Sequence, residues 1–92
     1  TAVYQLLGDL YLQVGLSQQA KTSYLKAFDL AQQSENIEGQ AEAQMGLGEA
    51  YYGLNNKNEA IAALKKAKES YLLLGDRSQV QELEKRIAEI LQ

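Results

Sequence analysis

The sequence contains no cysteine, no histidine and no proline among its 92 residues. The absence of cysteine excludes a disulfide framework and a thiolate metal site. It is also consistent with a reducing compartment, so we predict a cytoplasmic protein. The absence of histidine removes the usual ligand of most metal sites and the usual general base at neutral pH. We therefore expect no enzymatic activity, no catalytic residue, no metal and no cofactor.

Two further absences limit the partners. No apolar run approaches the roughly 18 residues that are needed to span a bilayer. The 12 acidic residues exceed the 9 basic ones, for a net charge of −3, whereas proteins that bind nucleic acid usually carry a basic patch. We expect neither a membrane nor a nucleic acid as partner. Because Thr1 is not methionine and the helical pattern starts at once, we also expect the chain to be a fragment of a longer protein.

A short motif occurs twice in the chain. Leu7-Gly8-Asp9-Leu10-Tyr11 returns as Leu47-Gly48-Glu49-Ala50-Tyr51, with leucine, glycine, an acidic residue and tyrosine in the same places. The separation of Leu7 from Leu47 defines the repeat period. Recurrence of a helix-packing motif at a fixed period is typical of repeat proteins, in which each repeat is one supersecondary unit. The sequence therefore predicts repeats that stack to complete a shared core.

Apolar residues recur at steps of three and four along the chain, which is the pattern of amphipathic helices. The turns between these segments are short, so neighbouring helices should pair as antiparallel hairpins. No segment has the pattern of a strand, and no linker is long enough to separate two domains. In the first helix one stripe comprises Val3, Tyr4, Leu7, Leu10, Tyr11 and Val14. The five predicted helices span about residues 2–14, 17–34, 37–54, 57–74 and 77–91.

Turn residues set these boundaries. Gly15, Gly75 and Asn55 suit the left-handed conformation that commonly follows a helix. Three polar residues stand where the next helix begins and are predicted to cap it through their side chains. They are Asn36, Asn56 and Asp76.

The repeated motif and the residues around it resemble the tetratricopeptide repeat, whose pattern is bulky-x-x-Leu-Gly-x-x-Tyr, then Gly, then Ala-x-x-x-aromatic-x-x-Ala. The period of about 40 residues exceeds the ~34 that is usual in this family. In this longer period the chain is similar to the subgroup found in kinesin light chains, spindle-orientation G-protein regulators and bacterial regulatory proteins. The second repeat departs from the pattern at Gln44, Asn55 and Leu64. The first repeat matches at Tyr4, Leu7, Gly8, Tyr11, Gly15, Ala20, Tyr24 and Ala27, and the second at Leu47, Gly48, Tyr51, Ala60 and Ala67.

The resemblance implies an all-α fold, a right-handed α-solenoid of antiparallel helix hairpins with five helices in a single domain. Repeat one would occupy about residues 1–36 and repeat two about 37–75. The last helix, about 76–92, would be either a capping helix or half of a third repeat. With few repeats to stack, that helix must cover the outer face of the second one.

The resemblance also implies a non-enzymatic protein–protein interaction module that binds a peptide or helical segment in a concave groove. Asp9, Glu49 and Glu89 lie one period apart in register and predict a ladder of carboxylates, which would favour a basic or amphipathic partner. The alternative is an ordinary solvated helix face. Tyr52 is the best single candidate for an anchor. By position, the groove candidates are Gln5, Asp9, Leu12, Gln13, Glu42, Met45, Glu49, Tyr52, Glu82, Arg86 and Glu89.

A second function is compatible with the same sequence. The end of the chain at Thr1 has no preceding helix to cover it, so the first repeat should expose an apolar patch. Such a patch favours a structural solenoid segment that self-associates or spaces other domains, with its groove unused.

Overall fold

The computed structural model describes residues 2–92, nearly all of them in helices or in the turns between helices. Within that range there are five α-helices and no strand. The helices are α1 (Ala2–Gln13), α2 (Ser17–Gln33), α3 (Ile37–Gly53), α4 (Lys57–Leu74) and α5 (Arg77–Leu91). The prediction of an all-α fold with five helices is confirmed, and each boundary lies within one residue of the predicted one.

Four residues end helices in the left-handed region of backbone space. Gly15 and Gly75 have φ angles of 82° and 74°, and Asn55 has 64°. These are the three stops that the sequence predicts. The fourth is Glu35, with φ of 55°. Its side chain gives no indication of a left-handed conformation.

Side-chain capping follows the prediction at two of three helix starts. Asn36 accepts a hydrogen bond from the backbone N–H of Gly39 at 2.9 Å, and Asp76 accepts one from that of Gln79 at 3.1 Å. The third prediction is wrong: Asn56 stands at the start of α4, but its side chain makes no capping hydrogen bond.

The helices stack as successive antiparallel hairpins. Helix α3 is central, packing against α2 on one side and α4 on the other, while α1 contacts α2 and α3 and α5 packs on α4. The buried core runs through the stack in two clusters. One is centred on Tyr24, Leu47 and Ala50, and the other joins Leu64 and Tyr71 to α5.

Alanine is the main side chain at the helix contacts. Small side chains let helix axes approach closely, and the larger buried residues fill the volume between them. The fully buried alanines include Ala20, Ala41, Ala43, Ala50, Ala60 and Ala67.

Helix α5 covers the second repeat through one face. Leu83, Ile87 and Ile90 are buried in the cluster that contains Leu64 and Tyr71. The other side of α5 is wet, and Leu91 on it is 67% exposed. This amphipathic helix therefore shields the apolar face that the second hairpin would otherwise leave open.

The apolar residues of α1 divide between two faces and do not form the single stripe that the sequence predicts. Tyr4, Leu7 and Tyr11 are half-buried against α2 and its neighbours. A second row is open to solvent: Val3, Leu6, Leu10 and Val14 are 66%, 61%, 58% and 69% exposed. An apolar patch at this end of the stack is thus present, although Thr1 itself lies outside the described residues.

Candidate functional site

The surface formed by α1, α3 and α5 carries the predicted groove residues. Gln5 on α1 reaches α3, where its Nε2 donates to the backbone carbonyl of Glu42 at 3.4 Å. Arg86 on α5 also reaches α3, where its guanidinium binds Glu49. The three helices therefore form one continuous surface whose side chains interact across the gaps between helices.

Glu49, Arg86 and Tyr52 form a cluster on this surface. The Nε and Nη2 of Arg86 donate to the two carboxylate oxygens of Glu49, each at 2.8 Å. The guanidinium also lies 4.9 Å from the ring centre of Tyr52, within range of a cation–π interaction. The bonds to Glu49 raise the pKa of Arg86 above its ordinary value because they stabilise its charged form. A bidentate pair of this kind holds Arg86 in place.

Asp9 is held differently. The hydroxyl of Tyr24 donates to its Oδ1 at 2.5 Å. The ring of Tyr24 passes between α1 and α3, and a Cβ added at Gly8 or at Gly46 would overlap it. Burial, and then the hydrogen bond to Asp9, raise the pKa of the Tyr24 hydroxyl above its ordinary value. Glycine on both flanking helices is therefore what lets this hydroxyl reach the groove surface.

A cavity of about 370 Å³ opens between α1 and α3. Ala27 and Ala31 of α2 line its floor, and Asp9 and Glu42 supply carboxylates. The remaining lining residues are Gln5, Leu6, Asn36 and Gly39. This volume is near the lower end of the ~300–1,000 Å³ of ordinary ligand pockets, so the cavity suits one side chain of a larger partner.

The electrostatic field at the cavity is negative. Desolvation first, and then the charges of Glu38 and Asp9, raise the pKa of Glu42. Tyr71 lies near two of these carboxylates, Glu42 and Glu38. Its pKa is raised to about 12, first by burial and then by the charges of Glu42, Asp76 and Glu38. No ion pair joins Asp9 or Glu42 to a lysine or arginine of residues 2–92.

The predicted carboxylate ladder is not an open row of negative charge. Glu49 is neutralised by Arg86, and Glu89 contacts the same guanidinium at 3.4 Å. Asp9 alone of the three lacks a cationic neighbour in the described chain, and its bond is to a neutral hydroxyl. Of the three ladder positions, only Asp9 in the first repeat is thus uncompensated by a cation of the described residues.

The other predicted residues take different places. Leu12 packs against the cluster that contains Tyr24 and Leu47, and Met45 packs against the one that contains Leu64. Tyr52 is 38% exposed under the guanidinium of Arg86. The sequence prediction missed the cavity floor, Ala27 and Ala31, because it treated both as packing residues. The exposed polar candidates are Gln13, Glu82 and Glu89.

Comparison with known sequences identifies the chain. A sequence model described as the tetratricopeptide repeat matches residues 1–72, which contain the first helix hairpin and all but the last two residues of the second. The chain belongs to the tetratricopeptide repeat family. Neither the curated proteins nor the solved structures give a significant match.

Tetratricopeptide repeats are protein–protein interaction modules, so the likeness assigns this chain to that general class. Within residues 2–92, no group of three or more acidic side chains is arranged to hold a metal ion. None of the helices in this described range combines the length and the apolar character that crossing a membrane requires.

Proposed function

We propose that this tetratricopeptide protein is a non-enzymatic module whose concave surface, built by α1, α3 and α5, binds a peptide or helical segment of another protein. We place repeat one at about residues 1–36, repeat two at about 37–75, and a cap or half repeat at about 76–92. The observation that carries the proposal is the cavity between α1 and α3, with an alanine floor and polar walls. A peptide could lay side chains into it while its backbone follows the surface.

The charges of this surface favour a basic or amphipathic segment. Asp9 and Glu42 stand at the cavity without a cation from the described chain, and Glu82 and Glu89 are exposed further along. Charge complementarity speeds encounter and excludes acidic competitors more than it adds affinity. The binding energy itself would come from side chains seated on the alanine floor and near Tyr52.

Selection of peptides from a random display library on the whole chain tests this proposal. Selected peptides should bind the Asp9→Lys/Glu42→Lys variant at least roughly tenfold more weakly, because two carboxylates of the surface become repulsive. The matched control is Asp29→Lys/Glu69→Lys, which makes the same change in charge at two exposed positions of α2 and α4. Fluorescence anisotropy measures both. Equal weakening by the two pairs, or failure to select any peptide, would contradict the proposal.

A second candidate function, self-association, rests on the exposed row of α1. The positions one period later, on α3, are Ala43, Gly46 and Ala50, all buried where α2 packs on α3. The first repeat presents larger apolar side chains at these places and has no α2-like helix over them in residues 2–92. A second copy of the chain could cover the row, by stacking end to end or by exchanging a helix.

Sedimentation equilibrium tests the second candidate. The wild type should associate as its concentration rises, and Leu6→Lys/Leu10→Lys should shift it to monomer because two charges would be buried in the contact. The same substitution at Leu73, which is 80% exposed on α4, is the control and should leave association unchanged. A clean monomer of wild type at millimolar concentration would remove this candidate.

A further inference from the structure

The two repeats of this protein differ in what pairs with the carboxylate at one equivalent groove position. Asp9 and Glu49 are one period apart and occupy equivalent places on α1 and α3. In the second repeat, Glu49 receives the guanidinium of Arg86 from the next groove helix. One period before Arg86 stands Gly46, which has no side chain to offer Asp9. The first repeat therefore has the carboxylate but lacks the arginine.

The packing around Tyr24 explains why no lysine or arginine of residues 2–92 occupies this place. Tyr24 corresponds to Leu64 in the second repeat, and its longer side chain fills the space beside position 46. Its hydroxyl satisfies one oxygen of Asp9 but brings no charge. The remaining lone pairs of the carboxylate can still accept hydrogen bonds from a partner.

Room for that partner comes from a second difference between the repeats. Ala31 on the cavity floor corresponds to Tyr71, which is buried in the second repeat. Replacement of an aromatic ring by a methyl group at this position leaves space over α2. The cavity combines an apolar floor with the carboxylates of Asp9 and Glu42, the combination that suits an aliphatic stem ending in a positive group.

We propose that the cavity between α1 and α3 receives an arginine side chain of the bound partner. The stem would lie on Ala27 and Ala31, and the guanidinium would bind Asp9 as Arg86 binds Glu49. Arginine suits the place better than lysine because its planar fork can bond both a carboxylate and a backbone carbonyl, and because it is more weakly hydrated. This inference rests on the proposed function and specifies the partner side chain that the first repeat selects.

The direct test is a titration of the whole, isotopically labelled chain with N-acetyl-arginine-N-methylamide, followed by NMR. The amides of Gly39 and Glu42 and that of Asp9 should shift saturably, with a Kd on the order of 1 mM or weaker, since a single side chain supplies little binding energy. The citrulline derivative has the same shape without the charge, and the lysine derivative has the charge without the fork. Both should bind more weakly. Equal binding by either would overturn the proposal.

Two variants separate the site from the rest of the surface. Asp9→Asn keeps an acceptor for Tyr24 but removes the charge, so arginine binding should weaken at least roughly fivefold. Asp29→Asn makes the same change on the exposed side of α2 and should have no effect. A helical circular dichroism spectrum shows that both variants fold. Equal effects of the two substitutions would overturn the proposal.

A third variant supplies the missing arginine from within the chain. Tyr24→Leu/Gly46→Arg copies the Leu64 and Arg86 arrangement of the second repeat, so Asp9 should be occupied and the arginine derivative should no longer bind. Retained binding would count against the site. Peptides that bind the concave surface without needing an arginine would leave the proposed function standing and reject this inference. Arginine binding at the cavity with no peptide selected would support the arginine site and contradict the proposed function.

Discussion

Replacing Gly46 with alanine should lower the free energy of unfolding by about 2 kcal/mol, although the same substitution in an open helix is stabilising. An added Cβ would overlap the ring of Tyr24. The ring has little room to move, because Tyr24 is 1% exposed and Gly8 lies as close to the same ring atoms, so that a Cβ added there would overlap them too. The overlap therefore forces α1 and α3 apart or distorts the rotamer of Tyr24. Urea denaturation followed by helical circular dichroism measures the loss.

The control is the same substitution in a chain that lacks the ring. Tyr24→Leu recreates the side chain of Leu64, the equivalent residue of the second repeat, where the position equivalent to Gly46 holds the larger Arg86. In the Tyr24→Leu background, Gly46→Ala should cost nothing or stabilise, so the double-mutant cycle should give a coupling of about 2 kcal/mol. An equal loss in both backgrounds would show that Tyr24 is not the cause.

Leu83→Ala should lower the free energy of unfolding by about 3 kcal/mol, within the roughly 2–5 kcal/mol that buried leucine truncations cost. Leu83 is 2% exposed and belongs to the cluster that joins α5 to Leu64 and Tyr71. The substitution leaves a cavity at the contact through which α5 shields the second repeat. For a domain of this size, the loss is a large fraction of total stability.

Leu91→Ala is the matched control for this prediction, because Leu91 belongs to the same helix and is 67% exposed. It should change the free energy of unfolding by less than about 0.5 kcal/mol. The denaturant slope provides a further readout. A smaller slope in the Leu83→Ala variant would mean that α5 detaches before the two hairpins unfold. Equal losses at Leu83 and Leu91 would contradict the assignment of α5 as the cover.

Arg86 shows how far a groove residue could be predicted. The repeat register predicted it as a groove residue, and the structure places its guanidinium against Glu49 of α3. Its partner did not follow, because Glu49 is 37 residues away and four other carboxylates share the predicted groove. Which of them a flexible arginine meets depends on the spacing and rotation of α3 and α5, and the packing of α4 sets both.

The sequence by itself determined the five helices, their boundaries and the repeat. These are local properties, since apolar spacing follows the helical period and left-handed residues such as Gly15 and Gly75 end helices without outside help. The motif at Leu7-Gly8 and Leu47-Gly48 was enough to indicate the family. Local prediction failed at Asn56, whose side chain makes no capping bond. It also failed for α1, where the predicted single stripe divides between a half-buried and an exposed face.

Only the tertiary structure decided which surfaces stay open. The row from Val3 to Val14 has the same apolar character as buried rows elsewhere, and it is exposed because no described helix lies over it. The cavity beside Asp9 likewise depends on three residues from two helices: Tyr24 and Ala31 of α2, and Gly46 of α3. From the sequence alone, each of these residues is predicted to be an ordinary packing residue. Open volume is a property of the space between helices, so it appears only once their side chains are placed together.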